Sequence, residues 1–465
     1  MLPCQNSSFN KLMLLWLGIG FTINLIAAII FNVNANYTTC VLVVSYFAAF
    51  IYYEPIFLMR YPFICFTAVT NLMGVVIIEF TQYYLNELGI YSFYQNSLAL
   101  ISYSWYLFLT TLYILDHIYP DNIICNKNIK IKINKKSIEF KRLLLYFFLI
   151  LLISISVRVI PRPYFTENVD RFLYSVYFFN DIDRTVLRIL NYMVPIIIIF
   201  VKDKSKMGIF AFLLYVITRF FMGEKFGLFF NILCYFAIFI SSSLKFNKKI
   251  IMKYGMRFFL ALSLLISVVF VHRILLYNAS LQDNLSYIIR RTSQNGQLWW
   301  AYYDQAINKK FSFQELNEEI SQNFTLKYDI KYSAGIYKVM YKTTPSNIFY
   351  SKLENKSRYA NSTFASILYY FGVPGILIFS IIAAIFYWLL THYIIYAFKN
   401  SLLFDLIICG RLFSVANTVL TQSDFHLLFS YQTIVSMLSL IFLNFLRCAI
   451  MNNHSKRTIL FNAKY

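Results

Sequence analysis

The chain reads as an all-α polytopic membrane protein of about twelve transmembrane helices with a large helical loop on its outer face. Three observations predict this. Hydrophobic residues make up 59% of the sequence and charged residues only 14%, with a mean hydropathy of +0.58, which excludes an ordinary soluble domain. Apolar runs of bilayer-spanning length recur along the chain, near 12–31, 40–59, 62–81, 97–116, 143–160, 185–201, 207–222, 226–244, 257–276, 363–390, 402–419 and 426–446. The loops between them sort lysine from arginine.

Lysine-rich connections at 118–142, 202–206 and 245–256 and the 447–464 tail are placed inside, because short cytoplasmic loops hold positive charge. Strict alternation then places every other loop without contradiction and puts both termini inside. The first run follows a polar stretch and has no small-residue cleavage site, so it is expected to be a retained helix. The domains follow: spans one to nine in 1–276, a large outer loop in 277–361, and three more spans with a cytoplasmic tail in 362–465. The formal charge of +21 fits topology and anionic lipid headgroups better than a nucleic-acid partner. Seven scattered cysteines form no CxxC or Cys/His cluster, and no Walker or dinucleotide motif occurs, so no metal or nucleotide cofactor is expected.

The outward helix ends and short outer loops carry Arg158, Arg162, Arg171, Arg184, Arg188, Arg219 and Arg273, with Lys225 as their lysine, while Arg411 sits deeper in an apolar run. Heavy use of Lys, Asn, Ile, Phe and Tyr suggests an AT-rich coding sequence with lysine as the default basic residue. Arginine gathered on one face therefore points to chemistry, since its rigid five-donor fork grips phosphate oxygens bidentately. Arg184 and Arg188 share a helix face. Arg219 precedes the tight turn 223–227, which brings Glu224 and Lys225 beside it. The competing reading is snorkelling to lipid headgroups, which lysine would serve as well. For Arg411 the expected structural partner is Asp405.

His272-Arg273 closes the ninth span, Arg290-Arg291 follow in the large loop, and then come Gln297, Trp299, Trp300 and Asp304. Paired indoles with amides and a carboxylate are what sugar recognition uses; an interfacial aromatic belt is the alternative. A capped helix is expected around 313–324 and an interfacial or re-entrant segment in 161–184. For a general base the outer candidates are Glu224, His272, Asp304, Asp424 and His426, the last also placed to cap a helix. Glu54 and Glu79 are expected to partner buried polar groups.

The stretch Arg290-Arg-Thr-Ser-Gln-Asn-Gly-Gln-Leu-Trp-Trp-Ala-Tyr-Tyr-Asp304 resembles a segment of bacterial O-antigen polymerases of the Wzy type. Gly335-Ile-Tyr-Lys-Val-Met-Tyr341 and the run from Arg358 through Tyr-Tyr-Phe-Gly-Val-Pro to Gly375 are similar to others. The motifs lie within 220–385. The resemblance implies a GT-C-like, metal-independent glycosyltransferase of the Gram-negative inner membrane, working on the periplasmic face. Its substrate would be an undecaprenyl-pyrophosphate-linked oligosaccharide repeat unit, and a polysaccharide chain-length regulator (Wzz type) would be a partner. Arg219, Arg273 and Arg291 would then stabilise the pyrophosphate leaving group, with Glu224 beside them. Arg184, Arg188, Lys225, His272, Arg290, Gln297, Trp299, Trp300, Asp304 and Arg411 would bind substrate. Arg291, Gln297 and Asp304 match the polymerase segment; the 223–227 turn departs from it, since Glu-Lys stands where relatives more often show a small residue and arginine. An O-antigen ligase would need a histidine in the large loop, and 277–361 has none. A lipid-linked oligosaccharide flippase would need little outer domain.

Overall fold

The computed structural model describes residues 6–119, 135–167, 177–224, 226–243, 280–307, 336–354, 364–422 and 425–462, with scattered positions between them. The described chain is almost entirely helical. Eight helices are long and apolar enough to cross a membrane, and shorter apolar helices cover 227–241 and 431–447. The protein is therefore an all-α, polytopic, membrane-embedded chain.

In chain order the elements are α1 (Asn6–Ile29), α2 (Asn36–Tyr53), α3 (Pro55–Arg60), α4 (Pro62–Thr81), a hairpin of β1 (Tyr84–Leu85) and β2 (Ile90–Tyr91), and α5 (Ser97–Ile118). Then follow α6 (Lys135–Val159), α7 (Asp181–Lys202), α8 (Lys206–Phe221), α9 (Gly227–Ser243), α10 (Leu281–Ser293), α11 (Gln297–Ile307), α12 (Ile336–Thr343) and α13 (Ser346–Glu354). The chain ends with α14 (Ala365–Lys399), α15 (Leu403–Gln422) and α16 (Tyr431–Asn462). The second apolar run differs from its sequence reading of 40–59: α2 stops at Tyr53, and Pro55 opens the separate short α3. Proline lacks the N–H that a continuing helix requires. The tenth run extends further than 363–390, to Lys399, but is interrupted at Gly372. Its φ of 62° and ψ of −163° are open to glycine and not to other residues.

α5 is the centre of one half of the bundle, packed by α14, α1, α4 and α2. In the other half α7 packs against α15, α8 and α6, so closely that a Cβ on Gly410 would meet the Tyr192 carbonyl at 2.4 Å. Buried carboxylates serve this framework. Glu79 accepts from the Asn36 amide at 2.5 Å and from the Ser97 backbone N–H at 2.7 Å, and Glu54 accepts from the Tyr113 hydroxyl at 3.2 Å.

The beginning of the large loop does not stand off the bundle. α10 and α11 descend and return along α4, and the turn between them presses backbone to backbone against it. A Cβ on Gly74 would lie 2.6 Å from the Thr292 carbonyl, and one on Gly296 would lie 2.5 Å from the Val75 nitrogen. The Asn71 amide donates to the Asn295 carbonyl at 2.6 Å, and the Trp105 indole donates to the Asn71 side-chain oxygen at 3.1 Å. Asn71 is ten residues from the end of α4 at Thr81, about 15 Å along the axis. The 293–296 turn therefore sits at membrane depth, where non-helical backbone is tolerated only when protein or a water-filled space surrounds it. Residues 281–307 form a re-entrant helical hairpin rather than a solvated excursion. The capped helix expected around 313–324 lies largely outside the described residues, as do 168–173, 175 and 176; the described parts of 161–184 are a 3-10 turn at Tyr164–Thr166 and the Asn180-capped start of α7.

Candidate functional site

The re-entrant hairpin presents two different faces. α11 buries Leu298, Trp299, Trp300, Tyr302 and Tyr303 against α4, α5 and α14. The Trp299 indole donates to the Ser97 carbonyl at 3.2 Å and the Trp300 indole to the Phe93 carbonyl at 3.0 Å. Both rings are wholly covered, so they seat the hairpin and offer no stacking surface, which corrects the sugar-platform reading of this pair. Gln297 is also buried; its amide donates to Glu87, which the Lys352 ammonium approaches at 2.6 Å. The Tyr359 hydroxyl donates to the Glu87 carbonyl at 2.6 Å, and burial holds that phenol well above its ordinary pKa, so it remains a donor. Glu87 thus clasps three parts of the large loop to the β-hairpin, a role its sequence context did not signal.

α10 is the open face. Ser280 and Asp283 form a capping box at its start, with Asp283 accepting from the Ser280 backbone at 2.9 Å. Its last turn carries Arg290 and Arg291, favourably placed against the helix dipole. Both are exposed. Arg291 donates to the Tyr287 hydroxyl at 3.2 Å and to the Gln294 side chain at 3.0 Å, and both guanidiniums lie over the Tyr287 ring. Among the described residues no carboxylate lies within ion-pair distance of either. Leu281, Leu285 and Ile288 form an exposed apolar stripe on the same helix.

The remaining arginines gather where α6, α7, α8 and α15 pack together. Arg158 pairs with Asp183 at 2.6 Å. Arg184 donates to the Phe179 carbonyl at 3.0 Å and lies 3.4 Å from Asp181. Arg219 is 7% exposed, reaches Glu224 at 3.2 Å and the Met222 sulfur at 3.7 Å, and keeps a buried Nε without a partner. The turn that holds Glu224 is closed by Gly223, with φ of 86°, and by the Glu224 N–H bonded to the Arg219 carbonyl at 3.1 Å. Arg188 is exposed on α7. Arg411 donates to Gln432 at 2.7 Å, and Asp405 is not its partner. Asp405 accepts from Tyr393 at 2.6 Å and pairs with Arg447, farther along the last helix.

The structure brings Arg219 and Glu224 together and places Arg184, Arg188 and Arg411 on mutually packed helices. Arg290 and Arg291 stand on the separate hairpin. Lys225, His272, Arg273 and Asp424 lie outside the described residues, as do the side chains of Asp304 and His426. Among the described residues no group of acidic, histidine or cysteine side chains is arranged to hold a metal. Polar pairs that the sequence did not single out run through these helices and α9: Tyr215 with Asn191 at 2.7 Å, Ser156 with Thr218 at 2.8 Å, and Asn417 with Asn231 of α9 at 3.1 Å.

Fold and site together define a polytopic membrane protein with arginines at one end of its bundle and at membrane depth. Residues 329–437, spanning α12 to α15 and the start of α16, match a family of unknown function, DUF6418. No curated protein matches, and no solved structure matches.

Proposed function

We propose that the protein is an outward-facing glycosyltransferase that joins lipid-linked oligosaccharide repeat units, an O-antigen polymerase of GT-C-like architecture with about twelve spans. One observation carries the reading. Arg290 and Arg291 end a helix that dips to membrane depth, and they are exposed there with no carboxylate partner among the described residues. Charges at that depth line a polar space rather than hydrocarbon. Such a space suits an anionic group, and a polyprenyl tail brings its pyrophosphate to the membrane beside it. The apolar stripe on α10 is consistent with a lipid-borne ligand.

In the reaction a hydroxyl of the incoming repeat unit attacks the anomeric carbon of the growing chain. The bond to the pyrophosphate oxygen breaks, that oxygen keeps the electron pair, and the hydroxyl proton passes to a base. Guanidiniums already oriented at the pyrophosphate stabilise the charge that develops on it. Arg219, held by Glu224, and Arg411 would extend the cationic lining from the bundle side. The Gram-negative inner membrane, undecaprenyl pyrophosphate as carrier and a chain-length regulator as partner belong to the same proposal.

The flippase alternative calls for a passage open in turn to both sides. At the opposite end of α5 a buried cluster ties α3, α5 and α14 together, with Asp116 meeting Arg60 at 2.7 Å, His392 at 2.7 Å and the Tyr61 hydroxyl at 2.8 Å, contacts that such a passage would have to break. The test is a lipopolysaccharide gel from cells lacking the native protein. Arg219→Ala, Arg273→Ala and Arg291→Ala are each expected to leave single repeat units, and full ladders from all three would overturn the proposal. Repeat units that fail to leave the cytoplasm when the gene is deleted would establish the flippase instead.

A further inference from the structure

Sugar-stacking chemistry is absent at the covered Trp299–Trp300 pair, yet exposed rings crowd the β-hairpin beside it. Tyr84 and Tyr91 are register partners across β1 and β2, with ring centroids 4.8 Å apart. They are 42% and 69% exposed. Phe93 follows, 52% exposed, with its ring packed on Trp300 at 5.0 Å, and Tyr94 is exposed next to it. The exposed Gln82 and Asn86 add amides to the rings. The stretch 82–95 contains one charged residue, Glu87, and that carboxylate is occupied by Gln297 and Lys352. The surface is therefore aromatic, hydrogen-bonding and uncharged.

We infer that the hairpin face of Tyr84, Tyr91 and Phe93 is a docking platform for a neutral stretch of the oligosaccharide chain, separate from the arginines that hold the pyrophosphate. Ring faces pack on the apolar C–H side of a pyranose, while amides and phenol hydroxyls bond its hydroxyl groups. An ionic ligand would find no counter-charge here. The hairpin is held both by α4, where the Ser92 hydroxyl donates to the Ile78 carbonyl at 2.6 Å, and by the polar loop segments, where Gly89 lies against Pro345 and Glu87 binds Lys352 and Tyr359. The Trp300–Phe93 contact joins the platform to the re-entrant hairpin that carries Arg290 and Arg291. This assignment rests on the proposed glycan substrate; an aromatic anchor in lipid headgroups is the competing occupant.

The experiment uses full-length protein in nanodiscs and the repeat-unit oligosaccharide released from the native polysaccharide, followed by saturation-transfer NMR. Tyr84→Ser with Tyr91→Ser is expected to weaken binding about tenfold, since two stacking contacts are lost. Tyr84→Phe with Tyr91→Phe keeps the rings and loses only the phenol hydroxyls, and is expected to bind within about threefold of the native protein. In cells the serine pair is expected to shorten the ladder without abolishing it, unlike the arginine variants. Unchanged oligosaccharide binding by the serine pair overturns the platform and leaves the lipid anchor. Lost binding by the serine pair together with full ladders from the arginine variants upholds the platform and overturns the polymerase reading.

Discussion

Arg60 and Arg290 show what one residue type does in two settings. At one end of α5, Arg60 is shielded from solvent and bonded to Asp116, which also accepts from Tyr61 and contacts His392, itself 2% exposed. Its charge is neutralised within the fold, and three helical segments are tied together as a result. Arg290 and its neighbour Arg291 sit near the other end of the bundle, exposed on α10, with an aromatic ring and an amide for company. The fold does not need their charge. A buried cation whose carboxylate is supplied internally is part of the framework; an exposed one held at membrane depth without a carboxylate is available to a ligand. The intermediate case is Arg219, buried and only partly satisfied by Glu224.

Breaking the framework side should cost most. Asp116→Ala removes the buried acceptor that Arg60, His392 and Tyr61 share, and the expected loss is about 3–5 kcal/mol in reversible unfolding in bicelles. A loss below about 1 kcal/mol would show that water reaches the cluster and that it does not tie the helices together. Next is the seat of the re-entrant hairpin. Gly74→Ala or Gly296→Ala puts a methyl into backbone that cannot recede, at an expected cost of about 1–3 kcal/mol, with single repeat units on the gel because the hairpin carrying the arginines has shifted. Native stability and full ladders from both variants would mean that the backbones do not meet. Asn71→Ala removes the donor to Asn295 and the acceptor for Trp105, and about 1–3 kcal/mol should follow in the same unfolding assay.

Eight of the apolar spans were legible because span length is a local property of the sequence. The hairpin was not. Gly296 falls in a Gln-Asn-Gly-Gln-Leu-Trp-Trp run whose composition suits sugar recognition, but the glycine is there to meet Gly74, more than two hundred residues away, and the tryptophans are there to be buried. Polar composition can mark either a binding surface or a polar seam inside a packed membrane protein, and only the partner across the seam distinguishes them. Asp405 shows the same limit. Its nearest arginine in sequence is Arg411, yet Arg447 on the last helix takes it. The arginines themselves were legible as a set, because their sorting from lysine is a property of the whole chain. Which of them the fold neutralises depends on tertiary contacts.

The smallest expected change in stability is also the most informative about function. Arg290→Gln with Arg291→Gln keeps helix propensity, length and polarity while removing two charges, so unfolding should move by no more than about 0.5 kcal/mol. The dipole interaction at the end of α10 and the guanidiniums over the Tyr287 ring supply a loss of that order, and relief of like-charge repulsion between neighbours opposes it. Chain extension should nevertheless fail, because the pyrophosphate would lose both ligands. A pair that destabilises by several kcal/mol would instead place these arginines in the framework with Arg60. The distinction between neutralised and available arginines would then have to be drawn at Arg188 and Arg411.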